Sequence, residues 1–333
     1  MNYRVLGGTD IRLSEICFGM ASLTGHRPQA DTSPDHAAQA AAAVRQALDL
    51  GVTTFHYGPG YLSGFVMREL IRTGVRTDRL QLIVKLASPT FQETTFSPAT
   101  ITATVDRMLS ETGFDVISVG QYIFQGRGIA ESDKPALYAG RMEADVAGCF
   151  EDLRRRGKVL CHAGFAYSAP FGALVAKSPG MCGVVGFFNM MEHHLHPLLP
   201  ALRASGRSLL AMRPFCGGIL TQKRPSWAAL PDGDRLKLPA MRAPFAQREE
   251  LGRLFADVAE PFETIALRYV LSFPETATCI VGLDSPGQVR RVVAQASCPA
   301  RLDDRAAQVH ALYLKQDAAS RHAAFHTTKG WQE

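Results

Sequence analysis

The sequence is short of several things, and each shortage excludes a class of protein. No stretch of about 18 consecutive apolar residues occurs, so a membrane-spanning helix is not expected. The opening Met1-Asn2-Tyr3-Arg4-Val5 has neither the charged start nor the apolar core of a secretion signal. The seven cysteines are scattered, odd in number and free of CxxC spacing, so they read as reduced thiols of a cytoplasmic protein. Charge of one sign is scarce too. The 36 basic and 31 acidic residues leave a net charge of +5, and the longest basic run is Arg154-Arg155-Arg156. That run falls at an expected helix end, where cations suit the dipole. Without a dense basic stripe, nucleic acid is not an expected partner. A membrane is not one either; a small-molecule substrate is. Oligomeric state is left open.

What is present is an ordinary globular composition, 46% hydrophobic and 20% charged, with ample apolar surface to offset ordering entropy. Residues 3–6 and 11–13 flank Gly7-Gly8-Thr9-Asp10, a hairpin signature. Strand-like apolar runs follow at 16–19, 53–56, 80–86, 114–121, 159–165, 184–189, 208–212 and 278–282. Helical patterns fit at 36–50, 64–73, 98–111, 142–156, 169–177, 195–205, 261–273 and 286–296. Strands buried on both faces read as continuous apolar runs, as parallel strands do. Eight such units predict one α/β domain, a (β/α)8 TIM barrel over about 14–300 with an N-terminal β-hairpin. A C-terminal helical extension takes up about 301–333. Two long connections, 123–141 and 216–246, follow strand C-termini, the face on which such barrels place their sites.

Several blocks then give the sequence a resemblance to the aldo-keto reductases. They are residues 3–19, Phe55 to Tyr61, Ile83-Val84-Lys85, Gly157-Lys158-Val159, Pro214 to Thr221, and Ile280-Val281-Gly282 with Ser285-Pro286. Their order and spacing together carry it. The resemblance implies a (β/α)8 barrel that binds NADPH and reduces carbonyls with an Asp, a Tyr, a Lys and a His. Two of the four stand here: Tyr61, six residues after Phe55, and Lys85, at the end of the third barrel strand. The Asp position holds His56. The His position holds Ile123, which can neither donate nor accept a hydrogen bond. The Ser-Asn pair that holds the nicotinamide amide is replaced within Gly164-Phe165-Ala166-Tyr167, and the Gln by Gly186 or Phe187. Met212 stands for the stacking aromatic, and Asp284 for the basic residue at the 2′-phosphate. If a dinucleotide is retained, the resemblance assigns it to Arg213, Phe215, Gly217, Leu220, Gly282, Ser285, Gln288 and Arg291.

A neighbouring ammonium favours a phenolate and lowers the pKa of its phenol. With His56 in place of the Asp, Lys85 loses a counter-charge and is expected to act on Tyr61 more strongly. Tyr61, Lys85 and His56 are the expected catalytic set, with His56 giving or taking a proton near neutrality. Such a set suits elimination, isomerisation or cyclisation. Together with the replaced cofactor contacts, it places non-redox acid–base chemistry without a cofactor first. A divergent NADP(H)- or NAD(H)-dependent reductase stands second, and a non-catalytic ligand-binding or structural barrel third. Gln121, Ile123, His162, Asn189, His193 and Met212 are the expected pocket residues. Glu192-His193-His194-Leu195-His196 has the chemistry of metal ligands. Adjacent histidines diverge on a helix or a strand, however, so no metal is expected. Cys216 reads as a packing residue before a thiol nucleophile.

Overall fold

The computed structural model describes residues 1–24, 34–58, 67, 68, 71, 74–87, 96–124, 130, 132–298, 302 and 305–316. Tyr61, and all but three residues of the helix expected over 64–73, lie outside the described residues.

Eight parallel strands close on themselves in the order β10-β3-β4-β5-β6-β7-β8-β9. They are β3 (Ile16–Gly19), β4 (Thr54–Tyr57), β5 (Gln81–Ala87), β6 (Ile117–Ile123), β7 (Val159–Phe165), β8 (Met181–Phe187), β9 (Ser208–Met212) and β10 (Thr276–Gly282). β10 pairs with both β3 and β9, so the barrel has no edge to protect. β1 (Tyr3–Val5) and β2 (Arg12–Ser14) form the expected antiparallel hairpin. Arg4 anchors it, donating to Glu15 Oε1 at 2.7 Å and to the carbonyls of Leu271, Phe273 and Thr276. Leu6 and Leu13 share a buried cluster with Ile83, Val119 and Leu210, so the hairpin plugs one end of the barrel.

Side chains alternate across each strand. Ile83, Val119, Cys161, Ala163, Val185 and Leu210 fill the interior. Leu82, Val84, Val184 and Leu209 face the helices. Both faces are apolar, which is why the strands read as unbroken runs. The helices end where their sequences stop them. Pro98–Thr112 begins at Ser97, whose side chain accepts from the Thr100 amide, and finishes at left-handed Gly113. Ala169–Lys177 begins the same way, with Ser168 accepting from Phe171.

Two differences from expectation have physical reasons. β8 starts at Met181, not 184, because Gly183 interrupts the apolar run. A Cβ at Gly183 would overlap the Ser208 carbonyl, so glycine lets β8 and β9 approach closely. The connection over 216–246 is not a bare loop. It folds over Cys216, Ile219, Leu220, Leu236 and Met241 into a second core, which also takes in Phe245 of the helix Arg242–Leu254. The C-terminal helix Ala306–Lys315 buries Val309 and Tyr313. No described helix is long and apolar enough to cross a membrane.

Candidate active site

His56 follows Phe55, which faces the helices, so the alternation of β4 turns His56 inward. Its Nε2 lies 2.6 Å from Gln121 Oε1, across the intervening strand β5. Burial, together with the Lys85 charge, pushes the His56 pKa down to about 3 against the opposing Gln121 bond. His56 is therefore neutral throughout the physiological range, and its Nε2–H donates to Gln121. This corrects the expectation that it exchanges a proton near neutrality. Gln121 is fully buried, and its Nε2 donor has no partner among the described residues. Lys85 stands beside Gln121 in register, and Ile123 follows on the inner face of β6. The barrel thus brings together His56, Lys85, Gln121 and Ile123.

Towards the C-terminal ends of the next strands the interior becomes aromatic. Phe165 and Phe187 meet edge to face at 5.4 Å, and Tyr167 lies 4.5 Å from Phe165. The Arg213 guanidinium sits 4.8 Å from the centre of the Phe187 ring. Gly186 faces outward, since a Cβ there would overlap Leu195 Cδ1. Phe187 therefore takes the inner position, and Met212 packs beside this cluster. Ring faces stand where the resemblance expects amides.

The loop after β9 is tightly organised. Arg213 Nη1 lies 3.1 Å from Glu192 Oε1. Asn189 Nδ2 donates to Glu192 Oε2 at 2.6 Å and to the Arg213 carbonyl at 2.8 Å. Its Oδ1 accepts from the amides of Met191 and Glu192. Asn189 is thus a loop organiser rather than the expected pocket wall. Arg213 and Cys216 both adopt positive φ, at 61° and 46°. Such conformations cost about 1–3 kcal/mol each and cluster at functional sites. Arg235 donates to the Gly217 carbonyl and holds the turn. Leu220 is fully buried in the second core and Phe215 packs between the two cores, so neither side chain is an open ligand contact. Cys216 is buried, and burial with the nearby Glu192 pushes its thiol pKa well up, which argues against a nucleophile.

Beside this loop, β10 feeds the helix Pro286–Ala296. Its N-cap Ser285 is extended and makes no side-chain cap, which leaves the first-turn amides for an anion. Arg291 lies over that turn, its Nη1 3.6 Å from a Cβ built on Gly287. Gln288 has another task, accepting from the Asp284 amide at 3.0 Å. Gly282 is exposed at the end of β10, in register with Gly19.

Comparison with known proteins settles the family. The aldo/keto reductase family model matches residues 15–312. The chain belongs to the aldo/keto reductase family. Its structure is similar to aldo-keto reductase AKR11C1 from Bacillus halodurans in the holo form. The TM-score is 0.72 at 20% identity, over 94% of this chain and 96% of that one. The glycerol dehydrogenase AKR11B4 from Gluconobacter oxydans gives a TM-score of 0.70 at 18% identity, over 93% and 94%. At such identities the likeness shows the fold. The chain is also 24% identical over 302 residues to L-galactose dehydrogenase from Arabidopsis thaliana, covering 87% of this chain and 86% of that protein.

Two expected pocket histidines point elsewhere in this aldo/keto reductase. His162 lies between Cys161 and Ala163, which line the interior, so it faces out and stacks on Phe150 at 4.4 Å. Burial, with Arg207, pushes its pKa down to about 4 against the pull of Glu151. His193 packs behind the barrel, stacked on Phe188 and 2.7 Å from Tyr269 Oη. Gln121 was expected to line the pocket, but its bond to His56 was not foreseen. No local signal marks it, because 65 residues separate the pair.

Proposed function

We propose that this aldo/keto reductase is an NAD(H)-dependent oxidoreductase that interconverts a carbonyl and an alcohol on a small substrate. One observation carries the reading. The uncapped first turn of Pro286–Ala296, with Arg291 over it, lies at the end of β10 beside the Arg213–Leu220 loop. Acid–base chemistry alone has no use for such an anion site, whereas a dinucleotide pyrophosphate does. Asp284 in the same turn repels a further phosphate, which favours NAD(H) over NADP(H).

The residues fit a dinucleotide unevenly. Ser285, Gly287 and Arg291 suit its phosphates. Tyr167 and Phe187 offer ring faces to a nicotinamide, while the amide partners of the carboxamide are replaced within Gly164-Phe165-Ala166-Tyr167. When bound, the nicotinamide supplies or takes the hydride. The chain's own residues handle the proton and the substrate oxygen. Tyr61 carries the proton, and Lys85 favours its phenolate. The unpartnered Gln121 Nε2 supplies the donor that Ile123 cannot.

The relatives named above are a reductase and two dehydrogenases, which supports the same class. The non-redox reading favoured by the sequence loses support there. It also loses the near-neutral titration of His56. The test is turnover by the full chain with NADH, NADPH and a panel of small aldehydes, ketones and polyols. Nicotinamide-dependent turnover is expected, with Tyr61→Phe losing about 100-fold or more. Tyr61-dependent turnover without any nicotinamide would overturn the reading.

A further inference from the structure

His193, His196 and His310 meet on the far side of the loop that follows β8. Each offers one ring nitrogen, and these three atoms lie within 4.8 Å of one another. His193 Nδ1 and His310 Nδ1 are 2.9 Å apart. The rings of His196 and His310 stack at 4.5 Å, as do those of His193 and His196. A tetrahedral ion with bonds of about 2.0–2.1 Å holds its nitrogens roughly 3.3 Å apart. The pair at 2.9 Å is already near that spacing, and a separation of up to 4.8 Å closes to it by at most about 1.5 Å. The adjacent pair His193-His194 does diverge, as a metal site built from the local sequence would require it not to. The third ligand comes instead from His310, on the C-terminal helix 117 residues away.

Three further features suit a cation. His193 is fully buried, and its second nitrogen, Nε2, lies 2.7 Å from Tyr269 Oη. Metal-bound imidazoles characteristically fix their outer nitrogen in this way. Glu275, buried near His196, has one oxygen bound to Arg203 at 2.6 Å and the other without a partner among the described residues. A cavity of about 290 Å³, lined by His193, His310, Tyr167, Ser168 and Tyr313, adjoins the cluster and leaves room for a water or small ligand at a fourth position.

We propose that His193, His196 and His310 form a three-histidine site for a divalent transition metal, Zn²⁺ by the chemistry of its donors. Imidazole nitrogens without thiolate or several carboxylates select Zn²⁺-like ions over Mg²⁺ and Ca²⁺. The ion staples the helix Ala306–Lys315 to the loop that carries Asn189 and Glu192.

The test uses the full chain, free of any affinity tag and stripped with a chelator. Zn²⁺ is titrated by calorimetry and Co²⁺ by visible absorption. One ion per chain is expected, with the visible bands of tetrahedral Co²⁺, no thiolate-to-cobalt charge transfer, and a melting midpoint raised by Zn²⁺. His196→Ala and His310→Ala should each lose stoichiometric binding. His310→Gln, a neutral replacement of similar reach, should lose it as well while melting like the metal-free wild type. Tyr269→Phe removes only a hydroxyl and should weaken binding about 10-fold. Absence of stoichiometric binding in the wild type would overturn the proposal. Binding undiminished in the histidine variants, or carried by Cys161 and Cys182 with a thiolate band, would do so equally.

Discussion

At the scale of the residue, one hydrogen bond sets the character of the barrel interior. Neutral His56 must donate to Gln121, which leaves the Gln121 amide donor facing inward without a partner. Gln121→Met keeps the volume and removes both functions. It should cost about 1–3 kcal/mol, because a buried N–H of His56 loses its acceptor. It should also lower kcat/KM. Unchanged denaturant midpoints would show that the bond contributes nothing. Asp284→Lys replaces a repelling charge and should raise the affinity for NADPH relative to NADH by about tenfold, or roughly 1.4 kcal/mol; paired calorimetric titrations read the ratio. Spacing made positions 56, 85 and 123 legible, because each lies at a fixed distance from a strand. The His56–Gln121 and His193–His310 pairings were not legible. Each joins elements that are distant in sequence, and only barrel closure or helix docking brings them together.

Elements were read well where a local rule fixes them. The helices at 98–112 and 169–177 announce themselves by a serine cap and a first-turn proline. Strand faces could not be told apart, since both are apolar, and that is why His162 was assigned to the wrong side of β7. Its outward position has a consequence for stability. The folded-state pKa values of His56 and His162 are about 3 and about 4. In the unfolded chain both titrate near about 6.5. Between these limits the unfolded state binds more protons, so stability falls as pH drops from about 6.5 to 4. His162→Phe keeps the stack on Phe150 and removes one such proton, so the slope of stability against pH should shrink by about 1.4 kcal/mol per pH unit. Urea unfolding at pH 4.5, 5.5 and 7 measures it, and an unchanged slope would sink the assignment. Gly186→Ala drives a methyl into Leu195 and should destabilise by about 1–3 kcal/mol, visible as a lower melting midpoint.

The whole molecule is a closed barrel with a second core built on its long connection. The barrel was legible because eight strand–helix units leave few other closures. The second core was not, because the helix Arg242–Leu254 is rich in Arg, Gln and Glu and buries only a few side chains. That connection matters at this scale, since it follows β9, the neighbour of β10, at whose end the dinucleotide phosphates are proposed to bind. The net charge of +5 is spread over the chain, so it marks no phosphate site by itself. The proposed phosphate site rests instead on the uncapped helix turn beneath Arg291. Titration calorimetry of the full chain with NADH and with NADPH is the most direct test. Micromolar binding of NADH is expected, no weaker than that of NADPH and reduced for both by Arg291→Ala. Failure of either dinucleotide to bind at millimolar concentration would contradict it.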